Sequence, residues 1–211
     1  KAGGGVPPGP GAEPPLSGTP NRLLALGTAA FPFAYLELIA INPQAARAAG
    51  TAAAARKRWF DMDDEALREQ VRAHGPRLIH WVARVPDLQH AAARLAVLEI
   101  DRGELLRASR PTPTGLLEWQ IAVRPDGRRL FDGCLPTLIE WGAVHPAATL
   151  PASGLALQSL TLRHPRTSAL AEACGAVGLT DIPVQAAAQP AIEVVLATPR
   201  GPVTLSSALE E

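Results

Sequence analysis

The stretch Leu78–Leu98, LIHWVARVPDLQHAAARLAVL, changes its hydrophobic period once, at Pro86-Asp87. Before this point the residues alternate as in a half-buried strand, and His80 and Arg84 lie on the less apolar face. After it the apolar residues have helical spacing, and Asp87 is suited to cap a helix N-terminus. The spacing therefore predicts a strand that runs directly into a helix. The strand turns its apolar face, and not His80, toward that helix.

The same order of elements occurs twice along the chain. After the first strand and helix, three strand-like runs are predicted, at 104–109, 116–123 and 135–142. A second series begins with a predicted strand at 155–164 and a helix at 166–177, and its three strand-like runs are at 184–188, 192–197 and 203–207. The sequence therefore predicts an internal βαβββ repeat. The fold class is α+β, with mostly antiparallel sheets curled into an open barrel.

The composition argues against several classes of partner. Twenty basic and twenty acidic residues give a formal net charge of zero, so the chain lacks the basic surplus typical of nucleic-acid-binding proteins. The longest apolar stretch, 29–41, contains Pro32 and Glu37 and is too short to span a bilayer. Cys134 and Cys174 lack the spacing of a metal site or redox pair and are interpreted as buried thiols. We therefore expect a cytoplasmic protein with no nucleic-acid or membrane partner.

A carboxylate interrupts an apolar row near the beginning of the chain. Two short strands are predicted at 21–27 and 33–41, and in the second Tyr35 and Glu37 share a face with apolar residues. Because a carboxylate buried alone is costly, we expect Glu37 to have a partner, and an ion pair with Arg84 is one alternative. Tyr35 is a candidate for lining a ligand pocket.

Glu140 ends the run PTLIE, as Glu37 ends the run FAYLE. This match makes residues 21–41 the tail of a further unit whose first strand and helix are absent. Residues 1–20 do not supply them, because this segment is rich in Gly and Pro and is predicted to be flexible.

Together these residues resemble the vicinal oxygen chelate superfamily, and within it the glyoxalase-like domain proteins, whose βαβββ modules pair into a metal-holding cup. His80 precedes Asp87 by seven residues. In the family, the ligand histidine of the first strand precedes the helix-opening aspartate in the same way. Glu37 in YLELI and Glu140 in LIEWG take the closing-strand position from which relatives supply glutamate ligands. The resemblance covers 21–146.

The resemblance implies a divalent metal ion, Zn, Ni, Mn or Fe, held by His80, Glu37 and Glu140. Such an ion would polarise a carbonyl or enolate oxygen of a small oxygenated substrate, and a glutamate would transfer a proton. The implied activity is that of a lyase or isomerase, with a dioxygenase as the weaker alternative. Substrate contacts are then expected from the remaining polar residues near the cup, namely Tyr35, Arg84, Glu118 and Gln120.

An alternative stays open because the superfamily's other histidine, from the first strand of the first module, has no counterpart in this chain. Ser159 and Ser206 hold the matching places in the unit at 155–207 and are poor metal ligands. A non-catalytic protein that binds a small molecule in the same cup is therefore the alternative function. The expected organisation is a flexible segment at 1–20, a glyoxalase-like region at 21–146 and a further module at 155–207. A homodimer is left open.

Overall fold

The computed structural model describes residues 19–42, 57–112 and 115–208. The helices in these residues are α1 (Glu65–His74), α2 (Leu88–Val97) and α3 (Thr167–Ala176). The strands are β1 (Asn21–Ala25), β2 (Tyr35–Ile39), β3 (Val82–Arg84), β4 (Glu104–Thr112), β5 (Gly115–Val123), β6 (Thr137–Trp141), β7 (Ala156–His164), β8 (Val184–Ala186), β9 (Ala191–Thr198) and β10 (Gly201–Ser206). None of the described helices has the length and apolar character needed to cross a bilayer. Most of the predicted flexible segment 1–20 lies outside the described residues.

The described strands form three open sheets. β1 and β2 pair as an antiparallel hairpin. Sheet 1 has the strand order β3-β6-β5-β4, and sheet 2 has the order β10-β9-β7-β8. The α+β class and both βαβββ series are confirmed in their order along the chain. The sheets, however, stay separate and open and do not curl into one barrel.

The predicted change from strand to helix occurs where the sequence pattern places it. The side chain of Asp87 caps α2 by accepting a hydrogen bond from the backbone N–H of His90 at 2.8 Å. Helix α2 buries Leu88, Ala91 and Leu95, which are members of the predicted apolar stripe. The preceding strand is shorter than predicted, since β3 covers only Val82–Arg84. Upstream of it, the carbonyl of Ile79 accepts a hydrogen bond from the Arg129 side chain at 2.5 Å.

One core cluster joins the two predicted units. It contains Leu95 from α2, Leu138 from β6, Leu162 from β7 and Leu170 from α3. Cys134 and Cys174 belong to the same cluster as free, buried thiols, which confirms their packing role. The two units therefore share one core. The boundary between them, at 146–155, stays a prediction.

The internal repeat holds for element order but not for sheet topology. In sheet 1 the last strand, β6, lies between β3 and β5 and is parallel to β3. In sheet 2 the first strand, β7, pairs directly with β8 and β9, and the last strand, β10, lies at the edge. The β1–β2 hairpin is a sheet of its own. That residues 21–41 are the tail of a further unit stays a prediction.

Candidate functional site

The two sides of sheet 1 follow from its strand register. Arg84 on β3 lies opposite Ile139 on β6, and Trp119 on β5 lies opposite Trp141 on β6. Because directly opposed residues point to the same side of a sheet, these four share one side. We call it the hairpin side, since the guanidinium of Arg84 lies 5.6 Å from the ring centre of Phe33, in the β1–β2 loop. The other side, here the helix side, packs against α2 through Ala83, Ala122 and Leu138.

Glu140 lies on the helix side of sheet 1, away from His80. Its neighbour across the strands is Gln120 on β5, whose amide nitrogen is 3.5 Å from a Glu140 carboxylate oxygen. The other carboxylate oxygen accepts a hydrogen bond from the backbone N–H of Leu88 at 2.8 Å. A carboxylate at this position complements the positive end of the α2 dipole. Glu140 therefore stabilises the N-terminus of α2.

Strand β5 turns its more apolar face, with Trp119, to the hairpin side. The mixed face of β5 can meet the helix because its residue in the core is the small Ala122, while Glu118, on the same face, is exposed. Glu118 and Gln120 consequently lie on the helix side and not beside His80 or Tyr35.

Both ring nitrogens of His80 are hydrogen-bonded within the chain. Nδ1 donates to the carbonyl of Gly133 at 2.9 Å, and Nε2 accepts from the backbone N–H of Thr137 at 3.1 Å. Phe60 packs on the imidazole with ring centres 4.9 Å apart. Burial lowers the pKa of His80 to about 3, so the ring is neutral near pH 7. Since the Nε2 lone pair already accepts a backbone hydrogen bond, the imidazole has no lone pair left for a metal in this arrangement.

Glu37 has the polar partner that its burial requires. The side-chain amide of Asn21 donates a hydrogen bond to its carboxylate at 2.8 Å. Burial raises the pKa of Glu37, and burial together with the charge of Glu37 raises the pKa of Tyr35. Among the described residues, Arg84 forms an ion pair with neither Glu37 nor Glu140 and instead lies over the ring of Phe33.

These placements test whether the expected ligands fit one metal ion. The described residues contain no group of three or more His, Cys, Asp or Glu side chains that could hold a metal. His80 is committed to Gly133 and Thr137, Glu140 lies on the helix side, and Glu37 lies on the hairpin. The three side chains therefore do not fit a common metal centre as they stand.

The structure instead assembles a cluster around His145. The imidazole of His145 lies 4.9 Å from the ring of Phe33, 6.2 Å from Tyr35 and 5.4 Å from Trp141. We call these residues together with Arg84 the His145 cluster. Of the predicted substrate-binding residues, it brings together Tyr35 and Arg84. No spacing in the sequence indicates the cluster, because Phe33 and Tyr35 are far from His145 along the chain.

The His145 ring is neutral and has a defined tautomer. Its Nδ1 accepts a hydrogen bond from the backbone N–H of Ala147 at 3.1 Å, in the 3-10 turn Pro146–Thr149. Burial, and then the charge of Arg84, lower the pKa of His145 to about 4. With Nδ1 as an acceptor, the ring proton is on Nε2. The cluster can be reached from solvent, since Phe33 is 45% exposed.

A second histidine is buried at the end of β7, just before α3. His164 is 1% exposed, and its Nε2 is 3.2 Å from a carboxylate oxygen of Asp132. Its Nδ1 accepts a hydrogen bond from the backbone N–H of Arg166 at 2.9 Å. His164 therefore connects the 131–133 turn to the first residues of α3. Both of its nitrogens are used within the chain.

The order of elements and the composition of the sheets are those of a mixed α/β protein of the vicinal oxygen chelate type. Comparison with protein families identifies the family within this superfamily. The family described as glyoxalase-like domain matches residues 2–178, and the chain belongs to this family and through it to the vicinal oxygen chelate superfamily. This confirms the predicted family and fold. Domains of this type commonly bind divalent metals. Comparison with curated proteins and with solved structures gives no match.

Proposed function

We propose that the protein binds a small, planar, oxygenated molecule at the His145 cluster. The observation that carries this proposal is a neutral imidazole packed among the rings of Phe33, Tyr35 and Trp141. Aromatic side chains bind flat molecules through offset or edge-to-face contacts, and ligand sites typically combine such rings with a few polar groups. Here the polar groups are the Nε2–H of His145 and the guanidinium of Arg84, which can donate hydrogen bonds to ligand oxygens.

A binding protein is favoured over a metal-dependent enzyme by how His80 and Glu140 are used. His80 is neutral and bonded at both nitrogens, and Glu140 accepts a hydrogen bond from the start of α2. A metal site built from these two residues would first require sheet 1 and α2 to rearrange. A ligand at the His145 cluster requires no such change.

The direct test is calorimetric titration with catechol, a planar molecule with two adjacent oxygens that is neutral near pH 7. We expect saturable binding, and we expect His145→Ala to weaken it about tenfold, equivalent to about 1.4 kcal/mol. His90→Ala is the matched control, because His90 is an exposed histidine on α2. Equal catechol affinity in His145→Ala and His90→Ala, or the absence of saturable binding, would contradict the proposal.

Family membership favours a second candidate, a metal-dependent lyase or isomerase with Zn, Ni, Mn or Fe. This candidate requires His80 to exchange its hydrogen bonds for a metal bond. Metal content after exposure to each ion, measured for the wild type and for His80→Ala, tests it. A stoichiometric ion that is lost in a folded His80→Ala variant supports the enzyme. Metal content that does not change on substitution removes the basis for a site at His80.

A further inference from the structure

A small cavity of about 20 Å³ lies on sheet 1 at the end of β5 and the start of β6. Trp59 and Phe60 line one part of it, and the backbone of their segment is joined to the β5–β6 connection by the hydrogen bond from the N–H of Asp61 to the carbonyl of Gly127, at 2.9 Å. A cavity of this volume holds one water-sized group. Its lining is strongly basic, since it includes Arg102, Arg124, Arg128 and Arg129.

Two N–H groups of the cavity lining lack an acceptor. The Nε of Arg102 and the Nε1 of Trp59 are buried, and neither has a hydrogen-bond partner among the described residues. The Arg102 residue is only 6% exposed, and its Nη2 donates to the carbonyl of Pro136 at 2.6 Å. Because a buried donor without an acceptor costs about 1–3 kcal/mol, such groups are nearly always paired in folded proteins. Both donors belong to residues that line the cavity, so an acceptor bound there would be the partner that the described side chains do not supply.

Arg102 also differs from Arg124 and Arg129 in its charged partners. Arg129 forms an ion pair with Asp61 at 2.9 Å, and Arg124 forms one with Asp126 at 2.8 Å. Among the residues that the structure describes, no carboxylate lies within ion-pair distance of Arg102. Burial, and then the charge of Arg124, lower the pKa of Arg102 to about 10, against the charge of Asp101, which raises it, so Arg102 remains a cation near pH 7. Burial outweighs the favourable charge of Asp101, and an anion in the cavity would offset more of this cost.

We propose that this cavity binds a small anion, with the guanidinium of Arg102 as counter-charge and the indole N–H of Trp59 as a second donor. The volume limits the bound group to a single halide ion or one end of a carboxylate. The halide and the carboxylate offer the same chemistry, a compact, negatively charged hydrogen-bond acceptor. The cavity shares no residue with the His145 cluster, so the anion site does not depend on the proposed ligand at that cluster.

The test follows the N–H signals themselves by ¹⁵N–¹H correlation NMR during a chloride titration, with sodium sulfate keeping the ionic strength constant. We expect the signals of Trp59 Nε1–H and Arg102 Nε–H to shift with one shared saturation curve. The indole signal of Trp81 should stay in place, because its N–H already donates to the carbonyl of Cys134 at 2.8 Å. A parallel titration with formate reports on the carboxylate source. Saturation with chloride alone identifies a free halide, and saturation with formate identifies a carboxylate.

Two matched variants separate the site from a general salt effect. Trp59→Phe keeps a ring that can stack on Phe60 but removes the donor, and should weaken anion binding at least threefold when the Arg102 signal is followed. Trp119→Phe removes an indole N–H on the hairpin side outside the cavity lining and should leave the affinity unchanged. Equal affinities in these two variants would overturn the proposal. Signals that drift without saturation with both anions would overturn it too, and would mean that water fills the cavity.

Discussion

Protonation of His80 should destabilise the fold, and this effect can be measured separately from the protonation of other groups. The imidazole is held between the carbonyl of Gly133 and the backbone N–H of Thr137, and burial lowers its pKa from 6.5 to about 3. A proton on Nε2 would break the bond from Thr137 and place an uncompensated charge in the protein. The unfolded chain has no such penalty, so it binds this proton at higher pH than the folded chain does.

The sign and the size of the effect follow from proton linkage. Because the folded pKa is lower than the unfolded one, the stability contributed by neutral His80 is complete above pH 6.5 and is lost as the pH falls toward 3. Between about pH 7.5 and about pH 5 the loss from this group is about 2 kcal/mol. His145 titrates in the same direction, since its pKa is lowered to about 4. A variant that removes only the His80 proton is therefore needed.

Urea denaturation of the wild type and of His80→Gln across this pH range makes the comparison. His80→Gln does not titrate, and its amide retains one donor and one acceptor. We expect the free energy of unfolding of the wild type to fall by about 2 kcal/mol more than that of the variant. A chelator in both samples removes any contribution from bound metal. Equal pH dependence in the two proteins would refute the conclusion that the His80 ring is buried and neutral.

Three further predictions concern other parts of the molecule. Gly127→Ala should cost about 2–4 kcal/mol of unfolding free energy, because φ is +69° and a Cβ would lie 2.1 Å from a backbone oxygen. The control is Gly175→Ala in α3, where a Cβ meets open space and the substitution should be neutral or stabilising. Similar urea midpoints for the two variants would contradict this. Glu140→Gln should lower stability by about 0.5–1 kcal/mol through the α2 dipole and leave catechol affinity unchanged; calorimetry showing weaker binding would place Glu140 in the site. Burial raises the pKa values of Cys134 and Cys174 to about 11. Both thiols should therefore react with a thiol reagent much more slowly in the folded than in the unfolded protein. Equal reaction rates would contradict their burial.

The elements were predictable where their signals are local. The change of period at Pro86-Asp87 and the cap formed by Asp87 lie within one short segment, and the strand and the helix α2 occur there. The pairing of strands was not predictable in the same way. β6 inserts beside β3, whereas β10 lies at the edge of sheet 2, although both close a βαβββ series. Strand pairing depends on contacts between distant residues, which the order of elements does not specify.

The candidate site was only partly predictable for a related reason. Alternation along a strand shows which residues share a side, but it does not show which side a helix covers. The register between β3 and β6 places Glu140 with Ala83 on the helix side and Arg84 with Ile139 on the hairpin side. Similarly, the spacing of His80 and Asp87 indicates the family correctly. It does not reveal that Gly133 and Thr137, distant along the chain, take both nitrogens of His80.

The two proposed sites lie at opposite ends of β6, and each includes a β6 residue of the hairpin side. Thr137 lines the anion cavity, and Trp141 belongs to the His145 cluster. Four residues of an extended strand span about 13 Å, so direct contact between a bound chloride and a bound catechol is excluded by distance. Ile139, between the two ends, is 6% exposed and fills the space with an apolar side chain. No polar group of β6 connects the two sites on this side. The binding free energies of chloride and catechol should therefore be additive, as they are for well-separated sites.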